Sequence, residues 1–76
     1  MTTPIKEHDG VVLLRNLPEQ NLVAGETGVV VYVHGNGTAY EVEFANPSGQ
    51  PRFMVVTLEA KDLLRLQPRA RLRDAI

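Results

Sequence analysis

Residues 22–33 read LVAGETGVVVYV, two glycines followed by a strongly β-prone run. Because glycine tolerates positive φ, Gly25 and Gly28 predict a turn in which the chain doubles back. The valines and the tyrosine that follow are typical of a pleated, half-buried surface. This stretch therefore predicts a turn that feeds a β-strand, and the other predicted elements are arranged around that strand.

Length and composition restrict the class of protein. A chain of 76 residues makes one domain, and a domain of that size buries only about 60% of the surface that its unfolded chain exposes. There is no cysteine, so disulfides and thiolate metal sites are excluded. No apolar run approaches the ~20 residues that span a bilayer, and the first nine residues lack the apolar core of a signal peptide. We therefore predict a cytoplasmic protein with no membrane association.

Several short β-prone runs lie between turn sequences, at residues 11–14, 28–33, 40–44, 53–58 and 64–66. Asn36-Gly37 between two of these runs is a strong hairpin signal, and Pro47 suits the second position of a turn within 46–51. Residues 59–63 lose the alternation, which predicts a single helical or 3₁₀ turn before the last strand.

The run Tyr40-Glu41-Val42-Glu43-Phe44 alternates most clearly, which predicts one buried face and one solvated face. Leu17 and Leu22 are the apolar residues of a polar loop, and we expect them to cap one end of the core. Of the four aromatic residues, three fall on apolar strand faces and are predicted to be core; the four are Tyr32, Tyr40, Phe44 and Phe53.

These elements predict an all-β fold, a small SH3-like antiparallel barrel of about five strands with one short helical or 3₁₀ turn before the last strand. Curling into a barrel hides the edges of so small a sheet. Residues 1–8 are predicted to be a flexible lead-in, 9–66 the barrel domain and 67–76 a basic C-terminal tail.

A combined pattern resembles a known bacterial family, the one catalogued as domain of unknown function 4926. It consists of Asp9-x-Val11-x-Leu13, Leu17-Pro18, Leu22-x-Ala24-Gly25-Glu26-x-Gly28-Val29-Val30, Tyr40-Glu41-Val42-Glu43-Phe44, Val56-Thr57-Leu58 and Asp62-Leu63. The resemblance covers about residues 8–66 and implies a stand-alone SH3-like domain without an assigned activity. More distantly, the Gly-x-x-Gly-x-Val pattern of residues 25–30 resembles KOW segments and small SH3-like subunits of photosynthetic complexes. What these proteins share is the physical requirements of the fold, and a shared fold does not imply a shared function.

Charge is unevenly distributed along the chain. Residues 1–50 carry two basic and six acidic side chains, whereas residues 51–76 carry six basic and three acidic ones. A basic tail of this kind either meets an acidic partner or belongs to a solvated surface. The residues predicted to bind a partner are those of the basic segment, Arg65, Arg69, Arg71, Arg73, Leu72 and Ile76. Within it, the spacing of Leu72, Ala75 and Ile76 allows one amphipathic turn, and disorder is the alternative.

Enzymatic and metal chemistry is poorly represented. His8 and His34 are the only histidines, and neither lies near Ser48 in the sequence. Glu41 and Glu43, about 7 Å apart on one strand face, could share a cation, although two solvated carboxylates are the simpler interpretation. We predict no enzyme, no cofactor, no metal and no small-molecule substrate.

The remaining interpretation is a protein–protein interaction module, an accessory or antitoxin-like component, with a protein partner or self-association. Monomer and dimer are both open. The binding rim is predicted to be formed by the loops at 17–25, 34–37 and 46–51, since loops on a rigid scaffold usually carry binding. The alternative is a nucleic-acid-binding KOW-like domain that uses the basic C-terminal segment, although the acidic barrel and its few aromatic residues argue against it.

Overall fold

The computed structural model describes residues 4–67, which form five β-strands and two short 3₁₀ turns. The strands are β1 (Gly10–Leu13), β2 (Thr27–His34), β3 (Ala39–Ala45), β4 (Phe53–Leu58) and β5 (Leu63–Arg65). The 3₁₀ turns are Pro18–Gln20 and Ala60–Asp62, the second of them directly before β5. The all-β prediction, with a 3₁₀ turn before the last strand, is confirmed.

All five strands belong to one antiparallel sheet in the order β4-β3-β2-β1-β5. Each strand from β1 to β3 pairs with the next one along the chain, and β5 returns to the free side of β1. Within residues 4–67, β4 and β5 are therefore the two edges of the sheet. Closure of this sheet into an SH3-like barrel stays a prediction.

One face of the sheet carries the core. Tyr40, Val42 and Phe44 are buried on β3, as their alternation with Glu41 and Glu43 predicts. The other buried apolar side chains come from the remaining strands and the first loop: Val11, Leu13, Leu17, Leu22, Val30, Leu58 and Leu63. Each such side chain stabilises the fold by about 1.5–3 kcal/mol relative to its exposed state.

The loop between β1 and β2 is pinned at its base. Leu17 and Leu22 are buried and form an isolated bridge, in which the Leu17 amide donates to Leu22 O at 2.9 Å and the Leu22 amide returns to Leu17 O at 3.1 Å. Asn16 Oδ1 accepts from the Ala24 amide at 2.9 Å across the loop. The predicted capping of the core by the two leucines is confirmed.

The two glycines of residues 22–33 serve different purposes. Gly25 has φ +100° and donates its amide to Leu13 O at 2.8 Å, so it is the turn residue that the sequence predicts. Gly28 is a strand residue without positive φ, and a Cβ there would lie 2.7 Å from Glu43 O. The prediction that both glycines serve a turn is wrong for Gly28, which is instead a point of close approach between β2 and β3.

Residues 4–8, part of the predicted flexible lead-in, lie against the sheet. Ile5 packs on the core. The His8 amide donates to Val30 O at 2.7 Å, and the Val30 amide donates to Asp9 O at 2.9 Å. The chain therefore contacts β2 before β1 begins.

Only two of the four aromatic side chains are buried. Tyr40 and Phe44 belong to the core, whereas Tyr32 and Phe53 are exposed. At Tyr32 the cause is a β-bulge, because Val30 pairs with Val42 while Tyr32 pairs with Glu41. The extra residue, Val31, changes the alternation of β2, so the prediction of three core aromatics is wrong.

Candidate functional site

The solvent side of β2, β3 and β4 carries an exposed apolar surface around two carboxylates. We call it the outer face and define it by Val29, Tyr32, Glu41, Glu43, Phe53 and Val55. Its apolar members are 44% (Val29), 53% (Tyr32), 50% (Phe53) and 55% (Val55) exposed. Single exposed apolar residues are ordinary, but a group of them on one face of a sheet is typical of an interaction surface.

Register places these residues in transverse rows across the sheet. Val29 lies opposite Glu43, which lies opposite Val55, and Tyr32 lies opposite Glu41, which lies opposite Thr57. Residues directly opposite on antiparallel strands share a face, with Cβ atoms about 4.5–5.5 Å apart. Glu43 therefore stands between two exposed valines.

Glu41 is tied into its row by hydrogen bonds. His34 Nε2 lies 2.6 Å from Glu41 Oε2, and Thr57 Oγ1 donates to Glu41 Oε1 at 2.8 Å. The contact with His34, followed by that with Thr57, lowers the pKa of Glu41. Tyr32 packs edge-on against the His34 ring, with centroids 4.9 Å apart. The row thus joins β2, β3 and β4 at the surface.

Glu43 differs from Glu41 in having no such partner. Among residues 4–67, no side chain or backbone amide donates to its carboxylate, and it belongs to none of the ion pairs there. It is only partly exposed. A carboxylate between two half-exposed valines attracts a cationic group that can also cover the valines.

The Val29–Glu43 row extends to the end of the described chain. Gly10 lies opposite Val29, and the Leu66 amide donates to Gly10 O at 2.8 Å. Since Gly10 has no side chain, Leu66 lies over it, with its Cδ1 3.5 Å from the position that a Cβ would occupy. The chain therefore leaves β5 in the same row as Val29, Glu43 and Val55.

β4 offers a second mode of contact, because it is an edge of the sheet within the described residues. Phe53 begins the strand, and the Arg52 guanidinium lies 5.6 Å from the centroid of its ring. Edge strands present unpaired amide and carbonyl groups to which another strand can add. The outer face and this edge are continuous through Phe53 and Val55.

A separate polar depression lies at the second 3₁₀ turn. Asp62 is buried and accepts from Arg15 Nε at 2.8 Å and from the Glu59 amide at 3.0 Å. The hydrogen bond from Arg15 lowers the pKa of Asp62, against the opposing effect of burial. The depression, about 240 Å³ in volume, also contains Thr57 and Lys61. Because both oxygens of Asp62 are engaged, its evident purpose is to hold the turn against the end of β1.

Of the predicted partner-binding residues, Arg65 is described and already has a carboxylate. Arg65 Nε donates to Asp9 Oδ2 at 2.8 Å, and its side chain is 17% exposed. Burial raises the pKa of Asp9, but hydrogen bonds from the Lys6 amide and from Arg65 outweigh it, so that pKa lies below its usual value. The other five, Arg69, Arg71, Leu72, Arg73 and Ile76, lie outside the described residues.

The loops that were predicted to form one binding rim do not all lie at the same end of the sheet. The loop after β2 and the turn after β3 lie at opposite ends of β3, from Ala39 to Ala45, which is about 20 Å at ~3.4 Å per residue. The loops at 34–37 and 46–51 therefore cannot share one rim. The sequence reasoning missed the outer face because an exposed strand face of valines looks the same in sequence as a core-facing one.

The described residues offer few of the side-chain arrangements that catalysis requires. No group of three or more histidine or carboxylate side chains is placed to hold a metal ion within residues 4–67. In the His34–Glu41–Thr57 row the carboxylate lies between the imidazole and the hydroxyl, and Thr57 donates to Glu41. A nucleophilic site needs the hydroxyl on the base instead. No helix between residues 4 and 67 is long and apolar enough to cross a membrane.

Comparison with known proteins agrees with the resemblance seen in the sequence. The family model described as "Domain of unknown function (DUF4926)" matches residues 7–65. Comparison with curated proteins and with solved structures gives no match. The matched range begins before β1 and ends at the last residue of β5, so it contains the whole sheet and the outer face.

Proposed function

Because this chain belongs to the DUF4926 family, whose description assigns no activity, we propose from its own surface that it is a non-enzymatic protein–protein interaction module. The observation that carries the proposal is the outer face, where the exposed Val29, Tyr32, Phe53 and Val55 lie around Glu41 and Glu43. A partner gains by burying these side chains, at about 25 cal/mol per Å² of apolar surface.

The edge strand β4 supports the same proposal. An extended segment added to β4 would continue the sheet and cover Phe53 and Val55 at once, the mode known as β-augmentation. The main-chain hydrogen bonds would supply affinity, and the apolar side chains would supply selectivity. An accessory or antitoxin-like role in the cytoplasm belongs to this proposal as its biological setting.

Binding rather than catalysis is also favoured by the shape of the surface. Three depressions among residues 4–67 have volumes of about 220–280 Å³, whereas ligand pockets usually exceed about 300 Å³. The most apolar of them is lined by Pro4, Ile5 and Leu64, away from the histidines. An exposed apolar sheet face suits another protein better than a small substrate.

The test is affinity capture with wild-type chain and two matched variants as bait, followed by binding measurements with the purified captured protein. Val55→Lys places a charge on the outer face, and Val23→Lys makes the same change at an equally exposed loop position (57%). We expect the captured protein to bind wild type and Val23→Lys and to lose at least tenfold in affinity for Val55→Lys. Equal binding to both variants would contradict the assignment to the outer face.

A nucleic-acid-binding function is the second candidate, and the exposed aromatics favour it. Tyr32 is exposed, and Arg52 lies over Phe53, an arrangement on which a base can stack. Glu41 and Glu43 beside them repel phosphate, which is why we place this candidate second. Titration of RNA and of DNA into the full chain, from low to high salt, tests it; no affinity at low salt would remove it.

A further inference from the structure

The position at which the described chain ends suggests what covers the outer face. Leu66 is hydrogen-bonded to Gly10, in the row that continues through Val29 to Glu43 and Val55. The remaining residues, 68–76, therefore start beside this surface.

The remaining segment is long enough to reach the unpartnered carboxylate. From β5 to β3 there are three inter-strand steps, about 14 Å in all. Extended chain covers about 3.3 Å per residue, so the five residues from Leu66 to Arg71 span about 17 Å. By Arg71 the backbone itself can lie over Glu43.

Charge complementarity supports the same occupant. Residues 68–76 carry Arg69, Arg71 and Arg73 against one acidic residue, Asp74. These arginines are spaced two residues apart, so in an extended segment their side chains lie on one side, about 7 Å apart, and one of them can meet Glu43. Glu43 has no cationic partner among residues 4–67.

The apolar residues of the segment also have a surface to cover. Leu72 and Ile76 follow the arginines, and Val29, Val55 and Leu66 are exposed along the row. Burial of a leucine or isoleucine side chain on such a surface stabilises docking in addition to the ion pairs. Neither contribution is large, so the docked segment remains displaceable.

We propose that the C-terminal segment, residues 68–76, docks in cis on the outer face of its own sheet, with its arginines on Glu43 and its apolar side chains on the exposed valines. This inference rests on the proposed function, because it makes the segment a competitor of the protein partner for one surface. It also states the chemistry of that partner, a segment that carries basic and apolar side chains together.

The experiment uses paramagnetic relaxation in the full chain, which has no native cysteine. A nitroxide on Ala75→Cys broadens the amide signals of residues that it approaches. We expect broadening at Val29, Glu43 and Val55, and not around Pro18, in the loop that follows the Leu13 end of β1 rather than the Gly10 end. Because surface ion pairs are screened by salt, the broadening should fall in 0.5 M NaCl, where the Debye length is about 4 Å.

Two charge-matched variants test the role of Glu43. Glu43→Gln should lower the ratio of docked to free segment about two- to fivefold, the range given by a surface ion pair. Glu19→Gln removes the same charge from the first 3₁₀ turn, away from the outer face, and should leave the broadening unchanged. Equal effects of the two variants would overturn the assignment to Glu43.

A mixed sample decides between cis and trans docking. When unlabelled ¹⁵N chain is mixed with spin-labelled ¹⁴N chain, cis docking predicts no broadening of the ¹⁵N signals. Broadening in the mixture, or none at the outer face in the singly labelled sample, overturns the inference. The affinity-capture test above depends on Val55 and not on residues 68–76, and the relaxation experiment needs no partner, so the failure of one can be distinguished from the failure of the other.

Discussion

Gly28 shows most directly what a single residue does in this fold. Its missing side chain lets β2 approach β3, where a Cβ would lie 2.7 Å from Glu43 O, 2.8 Å from Val42 Cγ1 and 2.9 Å from Phe44 Cδ1. The first of these atoms is backbone and the other two are core, so none can move aside cheaply. Gly10, in the neighbouring strand, has ordinary room instead, with its closest neighbour at 3.5 Å.

The pair of glycines gives a matched prediction. Gly28→Ala should lower the free energy of unfolding by about 1–3 kcal/mol, because overpacking forces the two strands apart. Gly10→Ala should change it by less than about 1 kcal/mol, since alanine costs less chain entropy on folding and finds room there. Urea denaturation of both variants measures this difference, and similar losses in the two would contradict the close-approach account.

At the scale of elements, the second 3₁₀ turn is held to the sheet by Asp62. Its carboxylate joins Arg15, just after β1, to the Glu59 amide that opens the turn. Its own carbonyl accepts from the Leu14 amide at 2.8 Å. The short strand β5 follows immediately, so the position at which β5 pairs with β1 depends on this connection.

Removal of the carboxylate therefore should destabilise the fold. Asp62→Ala leaves the Glu59 amide and Arg15 without their acceptor, and we expect a loss of about 1–3 kcal/mol in the free energy of unfolding. Glu59→Gln changes an exposed carboxylate of the same turn and should cost less than about 0.5 kcal/mol. Thermal unfolding compares the two, and a loss in Glu59→Gln equal to that in Asp62→Ala would refute the role of Asp62.

At the scale of the whole molecule, folding stability depends on pH through three carboxylates. The pKa values of Asp9, Glu41 and Asp62 lie below their usual values in the folded chain. A group whose pKa is depressed by folding contributes stability above its unfolded pKa, about 3.9 for Asp and 4.3 for Glu. That contribution is lost as the pH falls through the folded pKa.

Stability from these groups should accordingly be constant above about pH 5 and decline from about pH 4 downward. Urea midpoints at pH 7, 5, 4 and 3 measure the decline. Asp62→Asn, which cannot ionise, should weaken the decline, whereas Glu19→Gln should not, because Glu19 is exposed and is not one of the three hydrogen-bonded carboxylates. A midpoint that stays level between pH 5 and pH 3 would contradict the linkage.

Much of the architecture follows from patterns within short stretches. The alternation at residues 40–44 predicts both faces of β3, and Asn36-Gly37 predicts the hairpin before it. Leu17 and Leu22 reveal the anchored loop because they are apolar residues in polar surroundings. In each case the deciding physics is local, namely strand periodicity, turn chemistry or the need to bury one leucine.

The candidate site could not be predicted from the sequence, because its exposure depends on contacts between distant parts of the chain. The bulge at Val31 turns Tyr32 outward, and Phe53 and Val55 are exposed because they lie on the solvent side of β4. Whether a valine faces core or solvent depends on which strands lie beside and above its own, and adjacent residues do not record that. The partner of Arg65 is likewise Asp9, far away along the chain.

Residues 22–33 illustrate both the local preferences and the tertiary contacts. A turn followed by a strand can be predicted here from the residues alone, because glycine and valine have those preferences in any protein. Contacts in the folded chain determine that Gly25 makes the turn while Gly28 allows β3 to approach, and that Val29 and Tyr32 form part of an exposed face. Close packing and exposure depend on contacts with β3, which the chain forms only when it folds.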